Sequence, residues 1–188
     1  YHCGVAVDMQ YSPSGSGAYS QDVPPAIANY FRYTENAQRL DRDVYTKYEW
    51  EEMLIRNLEY GFPLYYSGSD ANGGHAFVCC GYRESDRKFY FNWGWSGSLN
   101  NYYAIDALNT GWNGSFNDNQ AAIYDFIPKY IYDALIPAVE DLSVEAMNAN
   151  SKTGVISWTN PTVNLGGETI ENIEQVVVMR DNEVVATI

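Results

Sequence analysis

The stretch that decides the fold is Gly73-Gly74-His75-Ala76-Phe77-Val78, followed after a short polar turn by Phe89-Tyr90-Phe91-Asn92-Trp93-Gly94-Trp95. Both parts are apolar and aromatic runs of the kind that form β-strands. The short turn between them predicts an antiparallel hairpin, with His75 and Asn92 at the same end. A histidine that is oriented by an asparagine and covered by an indole is the partner that a cysteine nucleophile needs.

The composition indicates a folded globular chain, since 46% of the 188 residues are hydrophobic and only 19% are charged. The net charge of −13 argues against a nucleic-acid partner, because such proteins use Lys and Arg to neutralise phosphates. No stretch is long and apolar enough to predict a membrane span. The three cysteines are Cys3, Cys79 and Cys80, and an odd number with an adjacent pair is not a disulfide framework.

Helical patterns precede strand patterns along the chain. Val5-Ala6-Val7-Asp8-Met9 is a short β-like run. Pro24-Pro25 then predicts the start of a helix, and Thr46 followed by Glu49 predicts a capping box at the start of a second helix that ends at Gly61. Strand patterns fill residues 62–126. Helices followed by an antiparallel sheet predict an α+β fold.

The composition changes near Ile127-Pro128 and predicts a domain boundary. We expect a first domain at 1–128, a linker at 129–136 and a second domain at 137–188. The second domain has short strand patterns at 142–146, 154–158 and 174–179, with turn signals between them, which is typical of an all-β, Ig-like sandwich. Trp158 is its expected core tryptophan. The segment is shorter than the roughly 100 residues of such a sandwich, so we expect an incomplete one.

His75 has two competing uses besides catalysis. A lone histidine on a strand is often an ordinary core residue, and His2, near the start of the chain, has no pattern around it. A metal site is the other use, but Cys79 lies about 13 Å along the strand from His75, and Cys80 points to the opposite face. We therefore expect no metal and no cofactor.

The motifs quoted above, followed by Tyr103-Ala104-Ile105-Asp106-Ala107-Leu108-Asn109 and Phe116-Asn117-Asp118-Asn119-Gln120, resemble the C-terminal half of the streptopain family (family C10), which are secreted bacterial cysteine peptidases with a papain-like fold. Gly4-Val5-Ala6-Val7-Asp8-Met9 with its Ser/Gly loop, and Trp50, fit the same order. The resemblance covers residues 3–128. The region after it is similar to fibronectin type III or other Ig-like domains.

The resemblance implies a set of site residues. His75 is the implied catalytic histidine, Asn92 its orienting partner, and Trp93 and Trp95 the indoles beside the site. Two loops, at 12–16 and 109–117, are implied to border the substrate cleft. The candidate catalytic residues are thus His75, Asn92 and Trp93, and the candidate substrate-binding residues are Ser14, Gly15, Ser16, Gly73, Gly74, Trp95 and Gly111.

The sequence departs from the family at the nucleophile. The family's cysteine lies in a helix start upstream of every motif found here, and the group that stabilises the oxyanion is expected there too. Cys3-Gly4-Val5-Ala6 imitates that motif, but Val7-Asp8-Met9 ties Cys3 to a later one. Cys79 is too far along the strand and Cys80 faces away. We therefore expect the nucleophile in residues that precede this chain.

Two hypotheses follow. The first is the C-terminal part of a secreted or cell-surface bacterial cysteine endopeptidase, made as a zymogen. Its partners would be protein or peptide substrates and the upstream part of its own precursor. The second is a catalytically inactive relative that binds protein or glycan through its aromatic sheet.

Overall fold

The computed structural model describes residues 1–137, 139–146, 154–173, 176–180 and 183–188. These residues fall into two units, Tyr1–Lys129 and Tyr130–Ile188, each of which is described by itself.

The first unit places its helices before most of its strands, as the sequence predicted. Its strands form one sheet in the order β1-β6-β2-β3-β4-β5, in which every neighbouring pair is antiparallel. The elements in chain order are α1 (His2–Ala6), α2 (Val23–Phe31), β1 (Gln38–Asp41), α3 (Lys47–Glu59), β2 (Leu64–Asp70), β3 (Gly73–Arg83), β4 (Lys88–Asn92), β5 (Asn101–Tyr103) and β6 (Asp118–Tyr124).

The caps of α3 confirm the signals read from the sequence. The Glu49 backbone N–H donates to Thr46 Oγ1 over 3.3 Å, and the Thr46 backbone N–H donates to Glu49 Oε2 over 2.9 Å. The bond from the Thr46 N–H, together with one from the Thr46 hydroxyl to the same oxygen, lowers the pKa of the Glu49 carboxyl. At the other end, Gly61 has a φ of 81° and its N–H donates to the Leu58 carbonyl, so the chain leaves the helix in a conformation that favours glycine.

The β-like reading of residues 5–9 is wrong. Val5 and Ala6 form the end of α1 (His2–Ala6), residues 7–9 are the turn after it, and the Met9 N–H donates to the Gly4 carbonyl to close that turn. A Cβ on Gly4 would lie 1.9 Å from the Tyr11 hydroxyl oxygen, so this turn packs directly on the Tyr11 ring. A helix of five residues is too short to show a 3.6-residue period, and its alternating apolar residues imitate a strand.

The core lies between α3 and one face of the sheet. Trp50 and Leu54 of α3 are at most 1% exposed and pack against the sheet. The sheet contributes residues of alternating parity, as expected for strands with one covered face: Leu64, Tyr66, Phe77, Cys79, Phe89 and Phe91.

A chain of buried hydrogen bonds crosses this core. Trp50 Nε1 donates to the Tyr66 hydroxyl over 2.9 Å, and that hydroxyl donates to Gln120 Oε1. Gln120 Nε2 in turn donates to the Ile105 carbonyl over 2.8 Å. Burial raises the pKa of Tyr66, so its hydroxyl stays protonated. This series of hydrogen bonds therefore joins α3, β2, β6 and the segment after β5.

Among its described residues, the second unit has two separate pairs of antiparallel strands. They are formed by β7 (Glu140–Ala146) with β8 (Gly154–Thr159), and by β9 (Val177–Arg180) with β10 (Glu183–Thr187). The segment expected to be a linker, 129–136, contains α4 (Lys129–Tyr132). The turn expected at 148–151 and the first residues of the strand expected at 174–179 lie outside the described residues.

This unit has no buried core among its described side chains. Leu142 and Val144 of β7 are 63% and 70% exposed. Trp158 is half-buried, and its indole N–H donates to Asn160 Oδ1, so it is not the enclosed core tryptophan that the sequence predicted. The incomplete Ig-like sandwich stays a prediction.

In the part of the chain that the structure describes, no helix has both the length and the apolar character needed to cross a membrane.

The buried hydrogen-bond chain gives a stability prediction. Tyr66→Phe removes the hydroxyl and leaves the Trp50 N–H and the Gln120 oxygen without their partner. We expect a loss of roughly 2–4 kcal/mol in the free energy of unfolding, because each buried polar group loses a hydrogen bond. Urea denaturation followed by tryptophan fluorescence measures it.

The matched control is Tyr90→Phe, since the Tyr90 hydroxyl makes no hydrogen bond among the described residues. Its expected change is within about 0.5 kcal/mol. Equal changes in the free energy of unfolding for the two substitutions would show that the buried hydrogen bonds of Tyr66 add nothing to stability.

Candidate active site

His75 lies near the start of β3, on the strand face that leads into the core. It pairs with Gly68 of β2, and its ring follows the same parity as Phe77 and Cys79. The imidazole Nε2 lies 2.8 Å from the Trp93 carbonyl oxygen. A carbonyl can only accept, so Nε2 carries the proton. Nδ1 is then the ring atom that is left to exchange a proton with another group.

Aromatic rings hold the imidazole on its other sides. The Trp95 indole stacks on it with ring centroids 4.9 Å apart and planes 19° apart, and Phe116 lies 5.4 Å away at a tilt. Trp95 stacks in turn on the buried Trp93, 5.6 Å away. Covering rings shield the Nε2 hydrogen bond from water, which strengthens it.

The turn after β4 fixes the carbonyl that His75 binds. The Trp93 backbone N–H donates to Asn100 Oδ1 and the Trp93 indole N–H donates to the Leu99 carbonyl, both over 3.0 Å. Gly94 has a φ of 76°, which lets the chain reverse between the two tryptophans. The backbone of Trp93 is thereby anchored on both sides.

The prediction that Asn92 orients His75 is wrong. Asn92 is exposed and pairs with Val78, while its Oδ1 accepts from the Gly94 N–H over 3.0 Å. Phe91 points into the core, so its neighbour Asn92 points to the opposite face of the sheet from His75. The alternation in Phe89-Tyr90-Phe91-Asn92 already indicates that Asn92 faces away from the core. The orienting acceptor is the Trp93 backbone, which sequence reasoning missed.

An open groove of about 630 Å³ lies beside His75. Four of the predicted substrate-binding residues line it, namely Gly73, Gly74, Trp95 and Gly111. Asn113, Gly114, Ser115 and Phe116 also line it and belong to the loop 109–117 that was expected to border the cleft, whereas Asp70 and Asn72 were not predicted.

A second recess of about 310 Å³ lies on the other side of the β3 start. It shares Gly74 and His75 with the groove and is lined further by Ser20, Tyr65 and Ser67. Open space on both sides of His75 suits an extended ligand that passes across the strand.

The predicted residues Ser14, Gly15 and Ser16 line neither space. Their loop is exposed and closed on itself, because Ser12 Oγ donates to the Gly15 carbonyl over 2.6 Å and Gln10 pairs with Gly17. The second recess begins only after this loop, at Ala18.

One carboxylate, that of Asp70, is hydrogen-bonded to two segments that line the groove. Asp70 Oδ1 accepts from the Asn72 N–H over 2.7 Å, and Asp70 Oδ2 accepts from the Ser115 N–H over 3.1 Å. These bonds to backbone N–H groups lower the pKa of Asp70. The carboxylate is therefore ionised at neutral pH.

None of the three cysteines contacts the imidazole among the described residues. Cys79 is fully buried in the core, and burial raises the pKa of its thiol. Cys80 is largely exposed on the opposite face, where Sγ lies 3.8 Å from the Tyr90 carbonyl oxygen, and partial desolvation of its thiol raises its pKa. Cys3 lies on α1 and is exposed.

The chain is similar to known bacterial peptidases. It is 39% identical over 104 residues to the thiol protease/hemagglutinin PrtT of Porphyromonas gingivalis, covering 55% of this chain and 12% of that protein. It is 38% identical over 107 residues to streptopain of Streptococcus pyogenes, covering 56% of this chain and 26% of that protein. The chain thus spans only a small part of the relatives it matches.

Two solved structures from Prevotella intermedia are similar as well. Active wild-type interpain A, a cysteine protease, aligns with a TM-score of 0.57 at 36% identity, covering 65% of this chain and 52% of that one. A prointerpain A fragment with one cysteine replaced by alanine aligns with a TM-score of 0.55 at 40% identity, covering 66% and 39%.

The model of the Peptidase C10 family matches residues 1–103, more than half of the chain. The predicted fold class is confirmed, because the sheet and helices of the first unit align with structures of this papain-like type. The chain belongs to the Peptidase C10 family.

Proposed function

We propose that this chain is the histidine-bearing part of a cysteine endopeptidase whose nucleophilic cysteine comes from polypeptide that precedes Tyr1. One observation carries the proposal: the His75 ring is held at Nε2 by a backbone carbonyl beside an open groove, which leaves Nδ1 for another group. None of the three cysteines, all of which lie among the described residues, contacts the ring. The family membership supports the choice of a cysteine as the missing group.

The proposed mechanism divides the work between two parts of the protein. His75 Nδ1 takes the thiol proton, and the resulting imidazolium lowers the pKa of the cysteine and holds its thiolate. The thiolate attacks the carbonyl carbon of a peptide bond, and Nδ1 then returns the proton to the leaving amine. The Trp93 carbonyl accepts from Nε2 in both the neutral ring and the imidazolium and so keeps the ring in one orientation.

The substrate is proposed to be an extended protein segment. The groove and the second recess meet at Gly74 and His75, which gives an extended chain room on both sides of the reacting bond. The absence of side chains at Gly73 and Gly74 lets a substrate backbone approach closely. Asn92 and the Ser14 to Ser16 loop have no role in this proposal.

The proposal extends to how the protein is made and where it acts. We infer a secreted or cell-surface bacterial protein that is synthesised as a zymogen. The similar prointerpain A fragment is a precursor form by its name, which supports this inference. N-terminal sequencing of the product in the culture supernatant tests it, and a product found only inside the cells would count against it.

Covalent labelling tests where the nucleophile lies. The full-length product is treated with a thiol-directed epoxide inhibitor, and the label is located by peptide mass spectrometry. We expect one modified cysteine, upstream of Tyr1, because Cys79 is buried and no thiol of this chain contacts His75.

Label on Cys3, Cys79 or Cys80 would contradict the assignment. No label on any cysteine of a folded full-length product would favour the inactive binding module instead.

Substitution of the histidine tests the catalytic role. In the full-length product, His75→Ala should lower kcat/KM for casein hydrolysis by about 10³-fold or more, as when one member of a nucleophile–base unit is removed. The control is His2→Ala, which replaces the other histidine of this chain.

His2 is exposed on α1, where its ring lies beside that of Tyr1. We expect activity close to that of the unsubstituted protein. Retention of activity in His75→Ala would refute the proposal.

A further inference from the structure

The far wall of the groove is formed by a glycine-containing segment, the wall segment (residues 110–116). It is closed within itself, because the Thr110 hydroxyl and backbone N–H both donate to the Gly114 carbonyl, over 2.8 and 3.0 Å. Gly111 and Gly114 have φ values of 68° and 115°. Glycines in such conformations lose much chain entropy on ordering, so the segment needs an external attachment to stay in place.

Asp70 supplies that attachment. Its Oδ1 holds the turn of the β2–β3 hairpin through the N–H groups of Asn72 and Gly73, over 2.7 and 3.2 Å. Its Oδ2 accepts from the Ser115 N–H, 45 residues further along the chain. Among the described residues, this is the hydrogen bond that joins the wall segment to the hairpin bearing His75.

Two close approaches show that the wall segment is fitted to this hairpin. A Cβ on Gly114 would lie 3.0 Å from Asp70 Oδ2, and a Cβ on Gly68 would lie 2.3 Å from the Phe116 carbonyl oxygen. The residues on both sides of Ser115 therefore approach β2 at distances that leave little room for side chains. Phe116, at the end of the wall segment, is 5% exposed and its ring lies 5.4 Å from the His75 ring, so packing holds this end of the segment independently of Asp70.

We propose that Asp70 is a positioning residue for substrate binding, whose carboxylate holds the wall segment at the distance from Trp95 that admits a peptide substrate. This inference rests on the proposed function, because it assigns the groove to a substrate. With the carboxylate in place, the wall is ordered before the substrate arrives. Without it, substrate binding has to order the segment, and the entropic cost weakens binding.

The test compares Asp70→Asn with the unsubstituted full-length polypeptide. An asparagine has the shape of aspartate but a single oxygen, and it cannot accept from the hairpin turn and from Ser115 at once. We expect the Ser115 amide to exchange with deuterium roughly tenfold faster, since a hydrogen bond to a charged acceptor is lost. We expect KM for a peptide substrate to rise about tenfold with kcat within about twofold, as for loss of binding alone.

The matched control is Asp118→Asn. It removes the same charge close to the wall segment, and the Asp118 carboxylate makes no hydrogen bond or ion pair among the described residues. We expect exchange at Ser115 and KM to stay as in the unsubstituted protein.

Unchanged exchange at Ser115 in Asp70→Asn, or the same rise of KM in the control, would overturn the proposal. So would a fall in kcat at constant KM, because that pattern belongs to a disturbed catalytic group. An unsubstituted protein without peptidase activity would refute the proposed function, and exchange at Ser115 would still decide whether Asp70 holds the wall.

Discussion

The structure of the first unit depends on one buried hydroxyl. Tyr66 accepts from Trp50 of α3 and donates to Gln120 of β6, and both partners are almost fully enclosed. A buried donor or acceptor without a partner costs about 1–3 kcal/mol, so this chain of bonds strongly disfavours other arrangements of helix and strands. Gln120 also donates to the carbonyls of Ile105 and Asn117, which sets the path of the chain on both sides of the wall segment.

The position of His75 follows from that arrangement. With Tyr66 fixed opposite Phe77, the antiparallel register puts Gly68 opposite His75. Gly68 is the residue at which the Phe116 backbone approaches β2, so the same register brings Phe116 to the imidazole. Packing in the core thus decides which groups surround the ring at the end of the strand.

The sequence predicted the regular elements where local chemistry decides them. The capping box of α3 and the aromatic alternation of β3 and β4 are signals carried by neighbouring residues. The edge strand β1 was missed because Arg39 and Asp41 are polar and pair as ions, and only the contact with β6 makes the segment a strand. The contacts that complete the groove join residues far apart in the chain, such as Asp70 and Ser115, and no local sequence pattern predicts them.

The hairpin of β3 and β4 is held at both ends, which keeps the surroundings of the imidazole rigid within this chain. At the turn, Arg87 donates to Glu51 Oε2 and to Glu52 Oε1 on α3, over 2.8 and 2.9 Å, and these carboxylates raise the pKa of the guanidinium. At the other end, His75 is bonded to Trp93 and stacked on Trp95.

A strand fixed at two points cannot slide along its neighbours without breaking one of the attachments. The wall segment is supported differently. Phe116 at its end is buried and donates its N–H to the Leu108 carbonyl, whereas the part with the positive-φ glycines is joined to β2 by the bond from Ser115 to Asp70. The imidazole is therefore held by the sheet, and we propose that the Asp70 carboxylate sets the width of the groove. In the proposed peptidase, the orientation of the imidazole and the fit of the substrate depend on different residues of the β2–β3 hairpin.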